Sequence, residues 1–400
     1  MVGEWRPSTW GDEVTLEYGK AIRGYSPVQG NYRVFGSNGP IGWTSEALAQ
    51  GPGVILGRKG AYRGVEYSRE PFWVIDTAYY LVPKTELDMR WLYYAVKHYK
   101  LGEVDDGSPI PSTTRAAVYM LELDVPTKAE QRAIAHILGM LDDNIECNRR
   151  RNQTLESMAR ALFQDWFIDF GPVRARMEGQ EPYLPADLWQ LFPDRLDDEG
   201  KPEGWSNGSF GNIISQRSER VGARDVVVLS AVASGKLARS DDHFTKRVYS
   251  KETNKYLLIE QWDFAYNPSR INIGSIGILE DAILGGVSPV YVVVRPKPAY
   301  RWFLAFSIRS RHTMTWINTL ASGSVRQSLS YTDFASIPCV VPPEVIVQEF
   351  NQQWSTFREG IRSLDTESRT LAQLRDTLLP KLISGELRVP DAERIIGATV

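Results

Sequence analysis

Two long segments with the same apolar spacing constrain this chain more than any other feature of its sequence. In each segment apolar residues recur at alternating intervals of four and three, a 3.5-residue period that is typical of a coiled-coil seam. A helix of this length cannot bury its apolar stripe alone, so we expect the two helices to pair as an antiparallel coiled coil. The predicted seam residues are Ile134, Leu138, Leu141, Ile145, Leu155, Leu162, Phe357, Ile361, Leu364, Leu371 and Leu378.

The two segments are copies of one unit. A shift of 216 residues places Val125-Pro126 on Val341-Pro342 and Thr154-Leu155 on Thr370-Leu371, which indicates an internal repeat. The alternative is that two amphipathic helices belong to separate domains and never meet. Polar residues interrupt both stripes near their middles, and polar seam positions set the register of paired helices, so they favour pairing. These residues are Asn148, Asn152 and Ser368.

The ends of the helices carry local signals. Thr127 is a predicted N-cap, with Glu130 three residues later as its capping-box partner. Gly171-Pro172 is expected to end the first helix and Gly385 the second. These limits give helices of about 35 to 40 residues, or roughly 50–60 Å at 1.5 Å per residue.

The residues before each helix have a different composition. They are rich in Gly, Pro, aromatic and β-branched residues, and short apolar runs are bounded by turn residues. We predict two mixed α/β globular domains that are mostly strand, an α+β fold with a pseudo-two-fold internal repeat. The predicted boundaries are 1–125 for the first globular domain, 126–170 for the first long helix, 171–204 for a connector, 205–341 for the second globular domain, 342–385 for the second long helix and 386–400 for a tail.

Charge is unevenly distributed along the chain. The 46 Lys and Arg and 49 Asp and Glu give a net charge of −3, yet residues 204–340 hold 16 basic against 10 acidic residues. That basic block predicts a polyanionic partner without identifying it. No apolar run approaches the length of a membrane span, the first residues lack a signal-peptide pattern, and there are 2 cysteines. We therefore expect no membrane partner and a cytoplasmic location.

Catalytic motifs are missing from the sequence. Asn267-Pro268-Ser269-Arg270 lacks the second proline and the aromatic residue of an amino-methyltransferase motif. The acidic run at 194–199 is too closely spaced for a nuclease core, and no phosphate-binding glycine loop is present. The 4 histidines have no metal-ligand spacing. The sequence thus predicts a binding protein with no catalytic residues and no metal site.

A series of motifs resembles one known family along nearly the whole chain. In the order in which they occur, the motifs are 34–43, 55–64, 71–77, 110–115, 130–135, 161–170, 266–271, 287–291, 323–326 and 378–387. Together they resemble the specificity subunit of type I restriction-modification systems. One departure is that the second helix lacks the Glu130-Gln131-Arg132 opening of the first and reads Glu344-Val345-Ile346-Val347-Gln348-Glu349 instead.

The resemblance implies that DNA recognition and catalysis are carried out by different subunits. Two target-recognition domains would each read one half of a bipartite target in double-stranded DNA, and the paired helices would set the spacer and dock two modification (methyltransferase) subunits. Restriction (motor-nuclease) subunits would complete the complex. S-adenosylmethionine, ATP and Mg are expected in those partner subunits, and this chain is expected to hold no cofactor. Two alternatives stay open: a coiled-coil scaffold that binds DNA without sequence specificity, and a recognition module with methyltransferase activity of its own.

The resemblance also directs attention to polar loops as DNA-binding candidates. Lys and Arg suit phosphates, Arg suits the guanine edge, and Asn and Gln suit the adenine edge. The candidates are Arg58, Lys59, Tyr62, Arg63, Ser112, Thr113, Thr114 and Arg115 in the first domain and Asn267, Arg270, Asn272, Ser275, Arg326 and Gln327 in the second. The alternative for these residues is an ordinary solvated loop, and for Asn267-Pro268 a structural turn.

Overall fold

The computed structural model describes residues 5–105, 107, 111–232, 234–243, 252–321 and 328–399. Within them the chain divides into two compact units. The first unit holds the described residues up to Arg151 and those from Ser363 onward, and the second holds those from Asn152 to Arg362. Each unit is built from small sheets and from parts of both long helices.

The elements up to the first long helix are mostly strands. The strands are β1 (Arg6–Thr9), β2 (Val14–Tyr18), β3 (Tyr32–Gly36), β4 (Gly39–Thr44), β5 (Gly53–Gly57), β6 (Val65–Ser68), β7 (Phe72–Val74), β8 (Ala78–Pro83) and β9 (Glu122–Val125). The helices are α1 (Trp10–Glu13), α2 (Met89–His98), α3 (Arg115–Tyr119) and the long α4 (Lys128–Phe167), with a 3-10 helix at Leu101–Glu103.

The rest of the chain repeats this plan. The strands are β10 (Ser206–Ser209), β11 (Ile214–Arg217), β12 (Val227–Ala231), β13 (Leu237–Arg239), β14 (Leu257–Ile259), β15 (Phe264–Tyr266), β16 (Ile276–Ile278), β17 (Gly285–Val287), β18 (Val292–Pro296) and β19 (Pro338–Val341). The helices are α5 (Gly171–Met177), α6 (Ala186–Trp189), α7 (Ser240–His243), α8 (Arg301–Ile308), α9 (Arg311–Leu320), α10 (Tyr331–Ser336), the long α11 (Glu344–Ile383) and α12 (Val389–Thr399), with 3-10 helices at Phe210–Asn212, Ile271–Ile273 and Pro298–Tyr300.

The central sheets of the two units have the same topology. The first unit has the order β2-β8-β5-β6 and the second has β11-β18-β15-β16, with every neighbouring pair antiparallel. Each unit also pairs its entry strand with the strand before the long helix, so that Arg6 faces Val125 and Ser206 faces Val341. A second sheet completes each unit, β4-β3-β7 in the first and β13-β12-β17-β14 in the second. The predicted α+β fold with two strand-rich globular parts is confirmed.

The long helices confirm the repeat as well. α4 and α11 have 40 residues each, and the 216-residue shift relates both their first and their last residues. At 1.5 Å per residue, each is roughly 60 Å long. Because the two copies have the same length and the same register, we infer that their shared apolar period defines both helices.

In the first unit the start of α4 packs against the end of α11. Ile134, Leu138 and Leu141 share one core with Leu371 and Leu378, and this core includes buried side chains of the sheet and of α2. Ile145 packs at its edge, and Leu364 is 7% exposed. The globular part and the helix pair are therefore one packed structure, as burial of a long apolar stripe requires.

In the second unit the end of α4 packs against the start of α11, so the two helices are antiparallel. Leu162 lies at the edge of a core that contains Phe163 and Phe350. The Leu155 side chain approaches Gly360 so closely that a Cβ there would lie 3.4 Å from Leu155 Cδ1. Phe357 and Ile361 are half-buried. The predicted pairing is confirmed, and the alternative of two helices that never meet is wrong.

The first helix begins as predicted and ends earlier than predicted. The Glu130 amide donates to Thr127 Oγ1 and the Thr127 amide donates to Glu130 Oε2, both at 3.3 Å, which is the expected capping box. The predicted stop at Gly171-Pro172 is wrong. α4 ends at Phe167, and Gly171 and Pro172 are the first residues of α5, because proline is accepted in the first turn of a helix.

The segment 171–204, predicted as a connector, packs against the second unit. It contains the short helices α5 and α6, and Leu188 and Phe192 are buried in the same core as Trp166 and Trp205. Trp166 and Phe192 meet edge to face with ring centroids 5.4 Å apart. The aromatic residues of this segment thus anchor it, despite its prolines and acidic run.

Candidate nucleic-acid interface

The first unit brings two distant candidate segments into one loop surface. β5 ends at Gly57, and the loop that follows meets the residues before α3. The Thr113 amide donates to the Arg58 carbonyl at 2.9 Å, and the Gly60 amide donates to the Pro111 carbonyl at 3.1 Å. Lys59 and Ser112 form an isolated antiparallel bridge. Segments 58–63 and 112–115 therefore form a single surface.

Two candidates in this surface are buried and hold the loops together. Arg63 donates from Nε to the Gly102 carbonyl at 2.6 Å and from Nη1 to the Gly60 carbonyl at 2.9 Å. Thr113 is fully buried, and its Oγ1 donates to the Val104 carbonyl at 3.0 Å. Buried donors that already bond backbone carbonyls stabilise the loop. We therefore assign Arg63 and Thr113 to the shape of the surface and not to contact with a ligand.

The other candidates of the first unit remain accessible. Lys59 is exposed, and Tyr62 is 70% exposed. Ser112 is half-buried beside Lys59. Thr114 is half-buried and caps α3, where its Oγ1 accepts from the Ala117 amide at 3.4 Å. The surface therefore presents a lysine and a tyrosine around a helix N-terminus.

Tyr18, which sequence reasoning missed, links the two candidate arginines. Its ring lies 4.3 Å from the Arg115 guanidinium carbon and 5.1 Å from that of Arg58, and it is 46% exposed. The Tyr79 ring lies beneath it at 5.0 Å, and burial raises the pKa of Tyr79 to about 12. Arg115 also donates to the Leu16 carbonyl at 2.7 Å. An aromatic residue at the exposed end of a strand was the signal that could have identified Tyr18.

The second unit builds an equivalent loop after β15. The Leu329 amide donates to the Pro268 carbonyl at 3.1 Å, which matches the bond between Thr113 and Arg58 in the first unit. The loop closes where the Asn267 amide donates to the Ser275 carbonyl at 3.0 Å. Both units therefore place a loop on the end of the strand that occupies the third position in the central sheet.

The candidates in this second loop separate into structural and exposed residues. Asn267 Oδ1 accepts from the Ser269 amide at 3.1 Å, an Asx turn, so Asn267 shapes the loop. Arg270 and Asn272 are exposed, and Ser275 is half-buried. Arg326 and Gln327 lie outside the described residues.

Comparison with known proteins relates this architecture to one family. Residues 18–157 match the family model described as the type I restriction modification DNA specificity domain. The chain is 25% identical to the MjaIX specificity subunit of Methanocaldococcus jannaschii over 78% of its own length and 72% of the relative's. It is 25% identical to the HindI specificity subunit of Haemophilus influenzae over 73% and 74%. The chain is thus similar to specificity subunits of type I restriction-modification systems over most of its length.

A solved specificity subunit has the same fold. The type I restriction-modification S subunit from M. genitalium superposes with a TM-score of 0.56 at 16% sequence identity, over 95% of this chain and 96% of that one. The family match at 18–157 includes the loop surface of the first unit and most of α4. The second loop surface lies outside that match, so the repeated sheet topology is what relates it to the first.

The departure from the family motif at the start of α11 has a structural counterpart in this chain. Gln131 of α4 is buried, where its Oε1 accepts from the Asp88 amide at 2.8 Å and its Nε2 donates to the Pro126 carbonyl at 3.0 Å. The 216-residue shift relates Gln131 to Val347, which is fully buried in an apolar core. The first helix is thus anchored by hydrogen bonds where the second is anchored by apolar packing.

The described part of the chain offers no cluster of side chains for a metal ion, since no group of three or more His, Cys, Asp or Glu side chains there is placed to hold one. Burial raises the pKa of the Cys339 thiol to about 12, so it is protonated at neutral pH and is a poor nucleophile. Of the helices that the structure describes, none has the length and apolar character to cross a membrane.

Proposed function

We propose that this chain is the specificity subunit of a type I restriction-modification system and that each of its units reads one half of a bipartite target in double-stranded DNA. The observation that carries the proposal is the repeated loop surface. The bond from Thr113 to the Arg58 carbonyl in one unit and the bond from Leu329 to the Pro268 carbonyl in the other place polar loops at the same end of equivalent sheets. Two similar readers on one chain suit a target with two halves.

The exposed and half-buried residues of the two loop surfaces supply suitable chemistry. Lys59, Arg58 and Arg115 in the first unit offer positive charge to phosphates and a guanidinium to a guanine edge. Arg270 and Asn272 in the second unit offer a guanidinium and an amide, and the amide suits the adenine edge. Because the two sets differ, we propose that the two half-targets differ in sequence.

The long helix pair is proposed to set the spacer between the half-targets and to dock two modification subunits. Half-sites on one face of duplex DNA repeat every turn, roughly 34–36 Å, and each helix is roughly 60 Å long. Exposed charged residues follow α4, such as Arg149 and Arg150, which both bond Glu146. Hydrogen bonds from these arginines lower the pKa of Glu146 to about 2, so the cluster stays ionised at neutral pH.

Chemistry is proposed to reside in the partners. In this assignment S-adenosylmethionine is bound by the modification subunits, and ATP and Mg by the restriction subunits when these join. The residues of this chain bind DNA, position the partners and take no part in bond making or breaking.

Methylation mapping tests the proposal. The full chain is co-expressed with its modification subunit in a host without adenine methylation, and methylated adenines are mapped in a plasmid library. We expect a split motif that disappears when this chain is omitted. Replacing Arg58 with Ala is expected to relax the sequence specificity in one half of the motif. Replacing Arg270 with Ala is expected to relax it in the other half.

Two outcomes would contradict the proposal. Methylation that does not depend on this chain, with both proteins soluble and bound to each other, favours the scaffold that binds DNA without sequence specificity. Methylation by the purified chain alone with S-adenosylmethionine favours a recognition module with its own activity. Replacing the exposed Lys297 with Ala, outside both loops and both long helices, is the matched control and is expected to leave the motif unchanged.

A further inference from the structure

The second unit contains a helix for which the described part of the first unit shows no equivalent. In both units a helix follows the central sheet, α2 in the first and α8 in the second. After α8 the chain forms α9 (Arg311–Leu320), capped by Ser310, whose side chain accepts from the Thr313 amide. Between α2 and the cap of α3, the described residues 99–105, 107 and 111–114 contain one 3-10 helix at Leu101–Glu103. α9 is therefore a feature of one unit.

One face of α9 is anchored and the opposite face is exposed. Thr313 and Ile317 are buried, and Met314 packs at the edge of the core. The exposed face combines positive charge, amide and hydroxyl groups and one partly exposed tryptophan, and its members are Arg311, His312, Thr315, Trp316, Asn318 and Thr319. None of these side chains is a carboxylate. This face is polar enough to be solvated and rich in groups that recognise base edges.

The exposed face lies next to the loop surface of the same unit. α9 packs against the 3-10 helix Ile271–Ile273, in the loop that carries Arg270 and Asn272. Ile273 in this turn is 70% exposed, an apolar side chain suited to contact with a thymine methyl group. The loop and the helix are thus neighbours, and both carry exposed polar side chains beside the exposed Ile273.

Charge along this part of the sequence favours a polyanion as the occupant. Residues 282–332 contain no Asp or Glu, and they contain six Lys and Arg. α9 lies within this stretch. A surface built from such a segment carries little local repulsion toward phosphates, and its cations attract them.

We propose that α9 is a base-reading helix of the second unit and lies in the major groove of duplex DNA, an inference that rests on the proposed function. The groove admits an α-helix, and ten residues span roughly 15 Å. Asn318 offers its amide to an adenine edge, and Arg311 contacts a phosphate or a guanine. The Thr315 hydroxyl donates to the Arg311 carbonyl at 3.0 Å, so this side chain contributes mainly its methyl group.

Two substitutions at one position test the helix without disturbing its packing. Asn318 is exposed, so Asn318→Ala and Asn318→Asp leave the buried face intact. In the methylation mapping, Asn318→Ala is expected to relax the sequence specificity at one base pair in the half of the motif that the second unit reads. The other half of the motif is expected to stay unchanged. Asn318→Asp introduces a carboxylate against the phosphates and is expected to lower affinity for a duplex with the mapped motif at least about tenfold.

Lys297→Ala is the matched control, a basic residue in the same stretch that lies away from the surface. The loop begins just after Tyr266, which pairs with Val292 at the start of β18. Lys297 follows the last residue of β18 and therefore lies at the other end of that strand. Lys297 is exposed, and its replacement is expected to leave motif and affinity as in the wild type. Circular dichroism of all variants confirms equal folding.

Each result of this experiment is decisive. An unchanged motif and unchanged affinity in both Asn318 variants overturn the proposal for α9 and leave the proposed function standing. Weaker binding of the modification subunit with unchanged DNA affinity makes α9 a protein-docking face, which also overturns it. A wild-type chain that directs no split motif contradicts the proposed function, and the role of α9 fails with it.

Discussion

Asp142 Oδ1 on α4 lies 2.6 Å from Arg375 Nη1 on α11, and this ion pair joins the two long helices within the first unit. The second oxygen of Asp142 accepts from the Tyr94 hydroxyl at 2.6 Å, so one carboxylate connects both helices to the globular part. Burial and the charge of Asp142 both raise the pKa of Tyr94, which keeps its hydroxyl protonated as a donor. The Asp142 side chain therefore helps to fix the orientation of the globular part on the helices.

Replacing Asp142 with Ala is expected to destabilise the first unit by about 2 kcal/mol, because it removes the acceptor of the Tyr94 hydroxyl and one of the two carboxylates that bond Arg375. Urea unfolding followed by circular dichroism measures this. Arg160→Ala, which breaks an exposed pair on the same helix, is expected to cost less than about 1 kcal/mol. Equal effects of the two substitutions would contradict the role of Asp142.

Asn148 is a polar residue in the apolar seam of the first unit. It is 3% exposed, and its side-chain Nδ2 has no hydrogen-bond partner among the described residues. A buried donor without an acceptor costs free energy, so Asn148→Leu is expected to raise the free energy of unfolding by about 1 kcal/mol. A thermal melt of both proteins checks this, and a lower midpoint for Asn148→Leu would show that the amide is needed for register.

Substitutions of Arg63 and Lys59, which lie in the same loop, are predicted to have different effects. Arg63→Ala removes a guanidinium that donates to three backbone carbonyls, so we expect the free energy of unfolding to fall by about 2 to 4 kcal/mol. Because the loop loses its shape, we expect the variant to lose DNA binding as well. Lys59→Ala is expected to leave stability unchanged and to reduce the slope of log affinity against log salt by about 1. A stable Arg63→Ala protein would contradict the structural assignment.

Tyr18 is predicted to act through its ring. Tyr18→Phe keeps a ring between Arg58 and Arg115 and is expected to retain affinity within about threefold. Tyr18→Ala removes the ring that lies against both guanidiniums and is expected to lower affinity for the target duplex about tenfold. Fluorescence anisotropy with a labelled duplex measures both, and equal affinities for the two variants would exclude a role for the ring.

Glu13 is predicted to make the first unit sensitive to acid. Burial alone would raise its pKa, but hydrogen bonds from Ser8, Thr85 and Arg6 outweigh burial and hold the pKa below its ordinary value of 4.5. A lowered pKa stabilises the folded state above pH 4.5, and this stabilisation is lost as the pH falls through the folded-state pKa.

Replacing Glu13 with Gln tests this directly. At pH 7 the variant is expected to be less stable than the wild type, and the difference is expected to shrink as the pH falls below 4.5. Glu86→Gln, at an exposed carboxylate near Thr85, is the control and is expected to show no such trend. Urea unfolding at several pH values measures the difference, and a constant difference would exclude Glu13 as the titrating group.

Part of the candidate surface could be predicted from sequence. The loops at 58–63 and 267–275 were found because family resemblance and polar, glycine-rich composition pointed to them. The burial of Arg63 could not be predicted, because its acceptors Gly102 and Val104 are some 40 residues away along the chain. Tyr18 was missed for the same reason, since its partners Arg58 and Arg115 come from two other segments.

The sequence by itself determined the two 40-residue helices, their antiparallel pairing and the repeat. The apolar period relates residues three and four positions apart, so it can be recognised in the sequence without knowledge of the rest of the chain. Only the tertiary structure decided which loops meet. Arg58 lies beside Thr113 because β5 is third in a sheet of non-sequential order, and α9 lies beside Ile273 because of how it packs. Contacts of this kind depend on strand order and packing between distant segments, which no local pattern of residues encodes.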